Sequence, residues 1–559
     1  MEDLHRSPEH RPTDDIYHEF HQEQCRLDPV RATLSGVAGF DDGLPDYSPE
    51  GWERRLELYR VTRSRLDAVP GLGGRDAVTA GILRERLEAE AGYLAGGLAA
   101  SLNTVVSPPM LIREAIGQAD TASEAGARAL ERRLRAVPGA LSGYLRTVAG
   151  RPAAGRPPVR AQAEVVALIA RMWSDDPMFS DLAADAAARG AAGAPALGRE
   201  LAAAADAAKL AYADFATGLE REVLPHVRED GAAGPEAYGL AARHALGVDL
   251  DLAETYAWLA DRLRAVAEET RALAGEIKPG AGVPEVCAGL DADPAWCVET
   301  VRLEGWLKDR LGLAFDLVRK GLFDVPQELG TLEAVVSASG GGPVRYLPPA
   351  SDLSRPGRVI WPVGDEPVTP VWSGVTAVHH EGVPGHHLQM GTAVLDSGLP
   401  LWQRHLTVPG HAEGWAVYAE GLMTGLGGLD GPPGLGYLMG LRANLAVALA
   451  DLGGHAGFPM PAVPGAVAGE PWTREHTLAF LRENSTIAEP MLGFTLLRSE
   501  AWPAQALTYA CGARVWQDAR DLARRRLGPD FDPRTFHTRM LALGPCGLSA
   551  VTEAAAAHA

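Results

Sequence analysis

The chain is poor in cysteine, and the few it has are badly placed for cross-linking. Cys25, Cys287, Cys297, Cys511 and Cys546 are an odd number in 559 residues, with no Cys-x-x-Cys pair. That usage fits reduced thiols in a cytoplasmic protein and argues against a disulfide framework. Positive charge is also in deficit: 52 Lys and Arg stand against 72 Asp and Glu, a net charge of −20. Nucleic acid and anionic membrane surfaces both require clustered cations, so no nucleic-acid and no membrane partner is expected. No apolar run is clean enough to span a bilayer. The longest candidate, GYLMGLRANLAVALADLGG at 436–454, is interrupted by Arg442, Asn444 and Asp451, and it predicts a buried helix instead. The N-terminal MEDLHRSPEHRPTDD lacks the apolar centre of a secretory leader. A soluble cytoplasmic protein is the expectation.

Helical texture is what the chain has in quantity. In 77–97, 122–141, 197–225, 245–277 and 296–315, apolar residues recur every three or four positions, with Arg and Glu on the other face. Pro-Gly punctuation near 137–138 and over 151–158 predicts turns between helices. Between about 330 and 375 Gly and Pro become dense, and short β-prone pieces such as RVIW predict a small hairpin or extended loop. Helical patterns resume at 411–426, 436–452, 473–486 and 503–527. Length alone allows two to four domains, but no repeat or long linker separates them. The chain therefore reads as a helical N-terminal half, 1–330, and a second half, 331–559, of one compact fold. Its expected class is mainly α, with a small irregular or β insertion just before a cluster of histidines.

That cluster is VHHEGVPGHHLQ, residues 378–389. The zinc-protease spacing His-Glu-x-x-His is absent, because the position four after His380 is Pro384. In a regular helix His380 and His386 would stand about 240° apart around the axis, which no single metal could bridge. Pro384 and Gly385 exclude a regular helix, since Pro384 has no N–H for the carbonyl of His380 and its ring crowds that turn. A bulge or break that absorbs two residues returns His380 and His386 to the relation of i and i+4. Glu381 then faces the water that such a metal activates. A catalytic zinc needs a third protein ligand, and VPGHAEGWAVYAEGL at 408–422 offers Glu413 on the first turn of a helix. Glu420 is expected to orient a ligand from outside. His387 is the alternative to His386; otherwise His379 and His387 support a ligand or face the substrate.

Five blocks carry a resemblance to a known family. They are SRPG (354–357), HEGVPGHHLQ (380–389), EGWAVYAEGL (413–422), PAQALTYACG (503–512) and FHTRMLALGP (536–545). In this order over about 340–555, they resemble the bacterial domain-of-unknown-function 885 proteins. Those proteins resemble in turn the large, mostly helical zinc peptidases of the thermostable carboxypeptidase Taq and angiotensin-converting enzyme type. The resemblance implies a zinc-peptidase-like fold, supports Glu413 as third ligand, and makes Tyr509 the group that steadies an oxyanion. Two places depart from the family pattern. Ala510 stands where a lysine is usual, and only Arg442, Gly454 and His455 of the segment 441–457 keep its family character.

The expected function is a zinc-dependent hydrolase, a carboxypeptidase-like metallopeptidase acting on short peptides or amide-containing small molecules. Zn2+ polarises the scissile carbonyl, and Glu381 takes a proton from water and passes it to the leaving amine. Arg442 or Arg498 could hold a substrate carboxylate, with His455 nearby. One rival is a zinc enzyme of small-metabolite biosynthesis that reuses the site for amide or ester hydrolysis or cyclisation. Others are a non-heme iron oxygenase and a non-catalytic binding protein. A homodimer is compatible with each.

Overall fold

Leu130, Leu134, Val137, Leu141, Tyr144 and Val148 recur every three or four residues, and all are buried along one face of a helix, Glu124–Gly150 (α1). In the computed structural model, which describes residues 11–337, 343–350, 353 and 355–557, this face meets Leu201, Ala205, Ala208, Tyr212 and Phe215. Helices Arg160–Asp175 (α2) and Met178–Arg189 (α3) pack against Pro195–Gly218 (α4), which carries those residues. α1 runs unbroken through Pro138, where the sequence predicts a turn. The proline removes one backbone donor and crowds the preceding turn. The apolar stripe on both sides of it outweighs that loss. The predicted turns over 151–158 are present.

The chain divides into two compact units: Met1–Ala233 with Leu497–Trp502, and Gly234–Leu496 with Pro503–Ala559. The change of composition near 330 therefore falls inside the second unit. It marks the entry into strands, and residues 234–330 group with everything that follows up to 496. The helices used below are Leu252–Ile277 (α5), Leu303–Arg319 (α6), His386–Leu395 (α7), Pro409–Thr424 (α8), Pro432–Ala456 (α9), Leu507–Leu527 (α10) and Pro533–Leu541 (α11). α8 packs along α10, and α5 along α9. By length and composition α9 could cross a membrane, yet it buries Leu445, Leu449 and Leu452 against its neighbours in this unit. Its Asp451 accepts from the Tyr238 hydroxyl at 2.7 Å and from the Ala504 N–H at 3.0 Å.

Two small sheets lie in the Gly/Pro-rich region and just before it. Cys297–Glu299 (β1) pairs antiparallel with Val368–Pro370 (β5), so the predicted helix at 296–315 begins only at Leu303. Leu332–Ser337 (β2), Arg345–Leu347 (β3) and Gly357–Pro362 (β4) form a second sheet in the order β2-β4-β3. β4 runs parallel to β2 and antiparallel to β3, with Tyr346 opposite Val359. RVIW lies in β4, whose alternating burial matches a strand with one face covered. The fold is mainly α, as expected, with every named strand except β1 in the region that leads into the histidine cluster. Residues 338–342 and three of 351–354 lie outside the described residues, including Ser354 of the SRPG block.

Candidate metal centre

The segment that begins as a helix at Val375–Ala377 widens into a π-helical turn, Val378–Gly382, and then stops. The Val383–Pro384 peptide is cis, and a new helix, α7, starts at His386. Between them Gly385 donates its N–H to the carbonyl of His379 at 3.0 Å. A Cβ on Gly385 would sit 1.9 Å from the His380 carbonyl oxygen, so only glycine fits this approach. The chain thus folds back on itself. The rings of His380 and His386 come to 4.9 Å between centroids, nearly perpendicular at 87°. The expected break is present, as a wide turn before the proline and a reversal after it.

Glu413 on the first turn of α8 completes the group. Its Oε2 is 3.3 Å from His380 Nε2 and 3.7 Å from His386 Nε2. One ligand atom from each of the three residues lies within 4.8 Å of the others. Tetrahedral zinc with bonds of about 2.0–2.1 Å holds its ligand atoms about 3.3–3.4 Å apart. The two separations from Glu413, 3.3 and 3.7 Å, are close to that size.

The hydrogen bonding around His380 sharpens the point. Its Nδ1 is 2.6 Å from Glu420 Oε1, and a carboxylate can only accept, so Nδ1 carries the hydrogen. In the neutral ring the Nε2 lone pair then faces the Glu413 carboxylate, lone pair against lone pair. A cation between them would relieve that opposition. A proton can do this for His380 alone. A metal ion can do it for His380, His386 and Glu413 together. Burial pulls the pKa of His380 down, but the carboxylates of Glu413 and Glu420 outweigh it and hold it well above the usual histidine value. Burial pushes Glu413 up, while hydrogen bonds to His380 and His386 carry it far below the usual carboxylate range. Glu381 is buried, which raises its pKa against the opposing pull of His386 and His380. A carboxylate set beside two histidines and tuned upward by burial suits a general base.

Consecutive residues of EGWAVYAEGL share the work of fixing this arrangement. Glu413 faces the histidines. A Cβ on Gly414 would lie 2.5 Å from Gly512 Cα, so α8 and α10 cross there backbone to backbone. Trp415, fully buried, donates from Nε1 to the carbonyls of Pro384 (2.9 Å) and Gly385 (3.2 Å). The reversal is thereby tied to the helix that bears Glu413. Glu420, two turns after Glu413, accepts from the Thr376 hydroxyl as well as from His380. Tyr509 stands half-buried on the first turn of α10, three residues before the Gly512 crossing.

The remaining expected residues divide. His387 is fully buried, with Nε2 donating to the Leu329 carbonyl at 2.9 Å, which leaves Nδ1 to accept from the Tyr346 hydroxyl at 2.9 Å. Both nitrogens are taken, so His386 and not His387 joins the cluster. His379 points to the Val383 carbonyl at 3.2 Å and braces the turn. His455 lies 3.7 Å from Asp451 at the end of α9, against the Tyr238 ring. Arg442 is engaged by Asn484 at 3.0 Å and Glu483 at 3.5 Å. Arg498 belongs to the first unit.

Two contributors escaped the sequence reading. Thr376 sits four residues before His380, one helical turn, and that spacing could have indicated it. Tyr346 stacks on His386 with centroids 6.4 Å apart and a 27° tilt, and nothing in its local sequence pointed there. The buried Nδ1 of His386 has no hydrogen-bond partner among the described residues, so packing against Tyr346 orients this ring. A Cβ on Gly357 would lie 2.7 Å from His387 Nδ1 and 2.8 Å from the Tyr346 oxygen, which explains the glycine of the SRPG block.

With this geometry in hand, comparisons place the chain among known proteins. The family model described as "Bacterial protein of unknown function (DUF885)" matches residues 29–554. A solved structure from Colwellia psychrerythraea, described as a "putative lipoprotein", superposes with a TM-score of 0.84 at 18% identity, covering 97% of this chain and 98% of that one. A second, from Shewanella oneidensis and described as a "putative lipoprotein of unknown function", gives a TM-score of 0.74 at 16% identity, covering 97% and 99%. At these identities the likeness is one of fold. No curated protein matches. The chain belongs to the DUF885 family.

Proposed function

We propose that this member of the DUF885 family is a zinc-dependent hydrolase, in the first instance a metallopeptidase cleaving short peptides or amide-containing small molecules. The observation that carries the proposal is the convergence of His380 Nε2, His386 Nε2 and Glu413 Oε2 within 4.8 Å of one another, with buried Glu381 in electrostatic reach of all three. Two histidines and a carboxylate are a common ligand set for catalytic zinc, and they leave a fourth position open. Zinc bound there supplies Lewis-acid polarisation of the scissile carbonyl and a water of lowered pKa. Glu381 accepts the proton of the attacking water and delivers it to the leaving nitrogen. Glu420, through Nδ1–H of His380, fixes the tautomer that presents Nε2 inward. Tyr509 is the proposed donor to the developing oxyanion, by resemblance to the helical zinc peptidases.

A cytoplasmic setting is part of the proposal, and it rests on cysteines that are few, odd in number and without a Cys-x-x-Cys pair. The second reading is a zinc enzyme of small-metabolite chemistry. It is favoured by Arg442, which is held by Asn484 and Glu483 and so is poorly placed to grip a peptide carboxylate. Digestion of a defined peptide library by zinc-loaded protein separates the two. Cleavage abolished by Glu381→Gln supports the peptidase. Metal-loaded protein that leaves every peptide intact turns the proposal toward the metabolite enzyme.

A further inference from the structure

Where α8, α10 and α11 come together, a cavity of about 430 Å³ opens to solvent. Leu422 of α8 lines it, nine residues after Glu413 and so about 13 Å further along the helix. None of His380, His386, Glu413 or Glu381 contributes to its wall, which makes it a place distinct from the metal centre. Its volume lies in the range of pockets that hold small organic ligands.

The charge of the wall is one-sided. Arg520 and Arg524 stand one turn apart on α10 and both line the cavity, while no Asp or Glu does. This occurs on a chain with a net charge of −20. Arginines nearby in the same unit are held by carboxylates, as with Arg514 and Glu254 or Arg534 and Asp324. The guanidinium of Arg524 has no ion-pair or hydrogen-bond partner among the described residues. Arg520 reaches its own neighbour, Asp521, at 3.2 Å and lies against Tyr418, with its guanidinium 5.7 Å from that ring centre. Cations also suit a helix C-terminus, but Arg525 and Arg526 serve that end as well. What sets Arg524 apart is the cavity it faces.

The rest of the wall is apolar or neutral. Leu322, Leu422 and Phe531 supply hydrocarbon surface. His537 closes the floor with both nitrogens occupied, Nδ1 by the Leu322 carbonyl at 2.9 Å and Nε2 by the Tyr418 hydroxyl at 2.7 Å. It therefore offers an incoming ligand no free donor or acceptor. Planar guanidinium groups match carboxylates in shape and charge, and the hydrocarbon wall asks for an apolar body behind that charge.

We propose that this cavity is a binding site for a small organic carboxylate with a compact apolar body, its charge held by Arg520 and Arg524. The test is calorimetric titration of the full chain with 4-phenylbutyrate. It is run as isolated and again after chelation, so that carboxylate binding at the metal centre is not counted. Saturable binding of one molecule per chain that survives chelation is expected, weakened at least about tenfold by Arg524→Ala. The neutral 4-phenylbutyramide should bind at least about tenfold more weakly than the acid. Arg525→Ala removes the same charge from the same helix end without touching the cavity, and it should leave binding within about twofold. Equal losses in Arg524→Ala and Arg525→Ala would reduce the effect to diffuse charge and overturn the proposal. No saturable binding, or equal binding of the amide, would overturn it too. Inorganic phosphate that binds as tightly as phenylbutyrate would remove its apolar half.

Discussion

His380 Nδ1 and Glu420 Oε1 lie 2.6 Å apart, and this contact decides which nitrogen of His380 is free to face His386 and Glu413. Glu420 in turn is held by the Thr376 hydroxyl. Carboxylates that orient metal-bound histidines typically contribute 10- to 100-fold in metal affinity. Glu420→Gln is therefore expected to weaken zinc binding by about 10- to 100-fold while the fold persists. Competition with a chromophoric chelator measures this. An unchanged affinity would make Glu420 a structural acid only.

Metal content tests the proposed zinc site. Purified protein should carry about one zinc per chain, removable by chelators. His380→Ala and His386→Ala should each abolish binding, whereas His387→Ala should retain the metal, because its nitrogens are spent on Leu329 and Tyr346. Elemental analysis of the three variants checks the assignment. Iron in place of zinc would move the protein to oxygenase chemistry.

Glu381 and Glu413 can be set against each other. Glu381→Gln should keep zinc and lower turnover by at least about 10²-fold, the usual contribution of a positioned general base. Glu413→Gln should lose metal affinity, since the charge it removes belongs to the proposed third ligand. The opposite pattern would mean that base and ligand are interchanged.

Two glycines hold the site by having no side chain. Ala at Gly385 would press on the His380 carbonyl, and Ala at Gly414 on the backbone of Gly512. Overpacking of this kind costs about 1–3 kcal/mol. Gly414→Ala should lower stability by about that amount and loosen zinc binding through the displaced Glu413. Gly421→Ala serves as control: its added Cβ would lie 3.0 Å from the Tyr437 hydroxyl, where a side chain can yield. Denaturant midpoints and zinc affinity for the two variants give the comparison.

Acid should weaken the second unit through His537. Burial, only partly offset by the hydrogen bond to Leu322, lowers its pKa to about 4. Above pH about 6.5 the ring is neutral in both folded and unfolded chains, and nothing is lost. Below that, the unfolded chain takes up a proton that the folded chain refuses, so stability falls until pH reaches about 4. At pH 5 the loss amounts to about 2 kcal/mol. Urea midpoints at pH 7 and pH 5 should differ less for His537→Gln than for the unaltered protein. Identical pH dependence in the two would show that His537 is not responsible.

Residue types and local spacing were enough to indicate the helical class, the break at Pro384 and the candidate donors. Helical faces show as apolar periodicity, as in Leu130 to Val148, and a proline or glycine in a helical pattern has local consequences that can be worked out from covalent geometry. Pro138 carries the local signal of a turn yet stays helical, because the packing of α1 against α4 outweighs a missing N–H and no local window contains that packing. The same limit applies to the site. That His380, His386 and Glu413 converge depends on Gly414 meeting Gly512 and on Trp415 reaching the carbonyls of Pro384 and Gly385. That His386 and not His387 faces Glu413 depends on Leu329 and Tyr346, residues 58 and 41 positions away in the chain. Sequence settles which donors are available within a turn or two. Contacts between distant segments decide which way each ring points, because a histidine's free nitrogen is whichever one its neighbours leave unused.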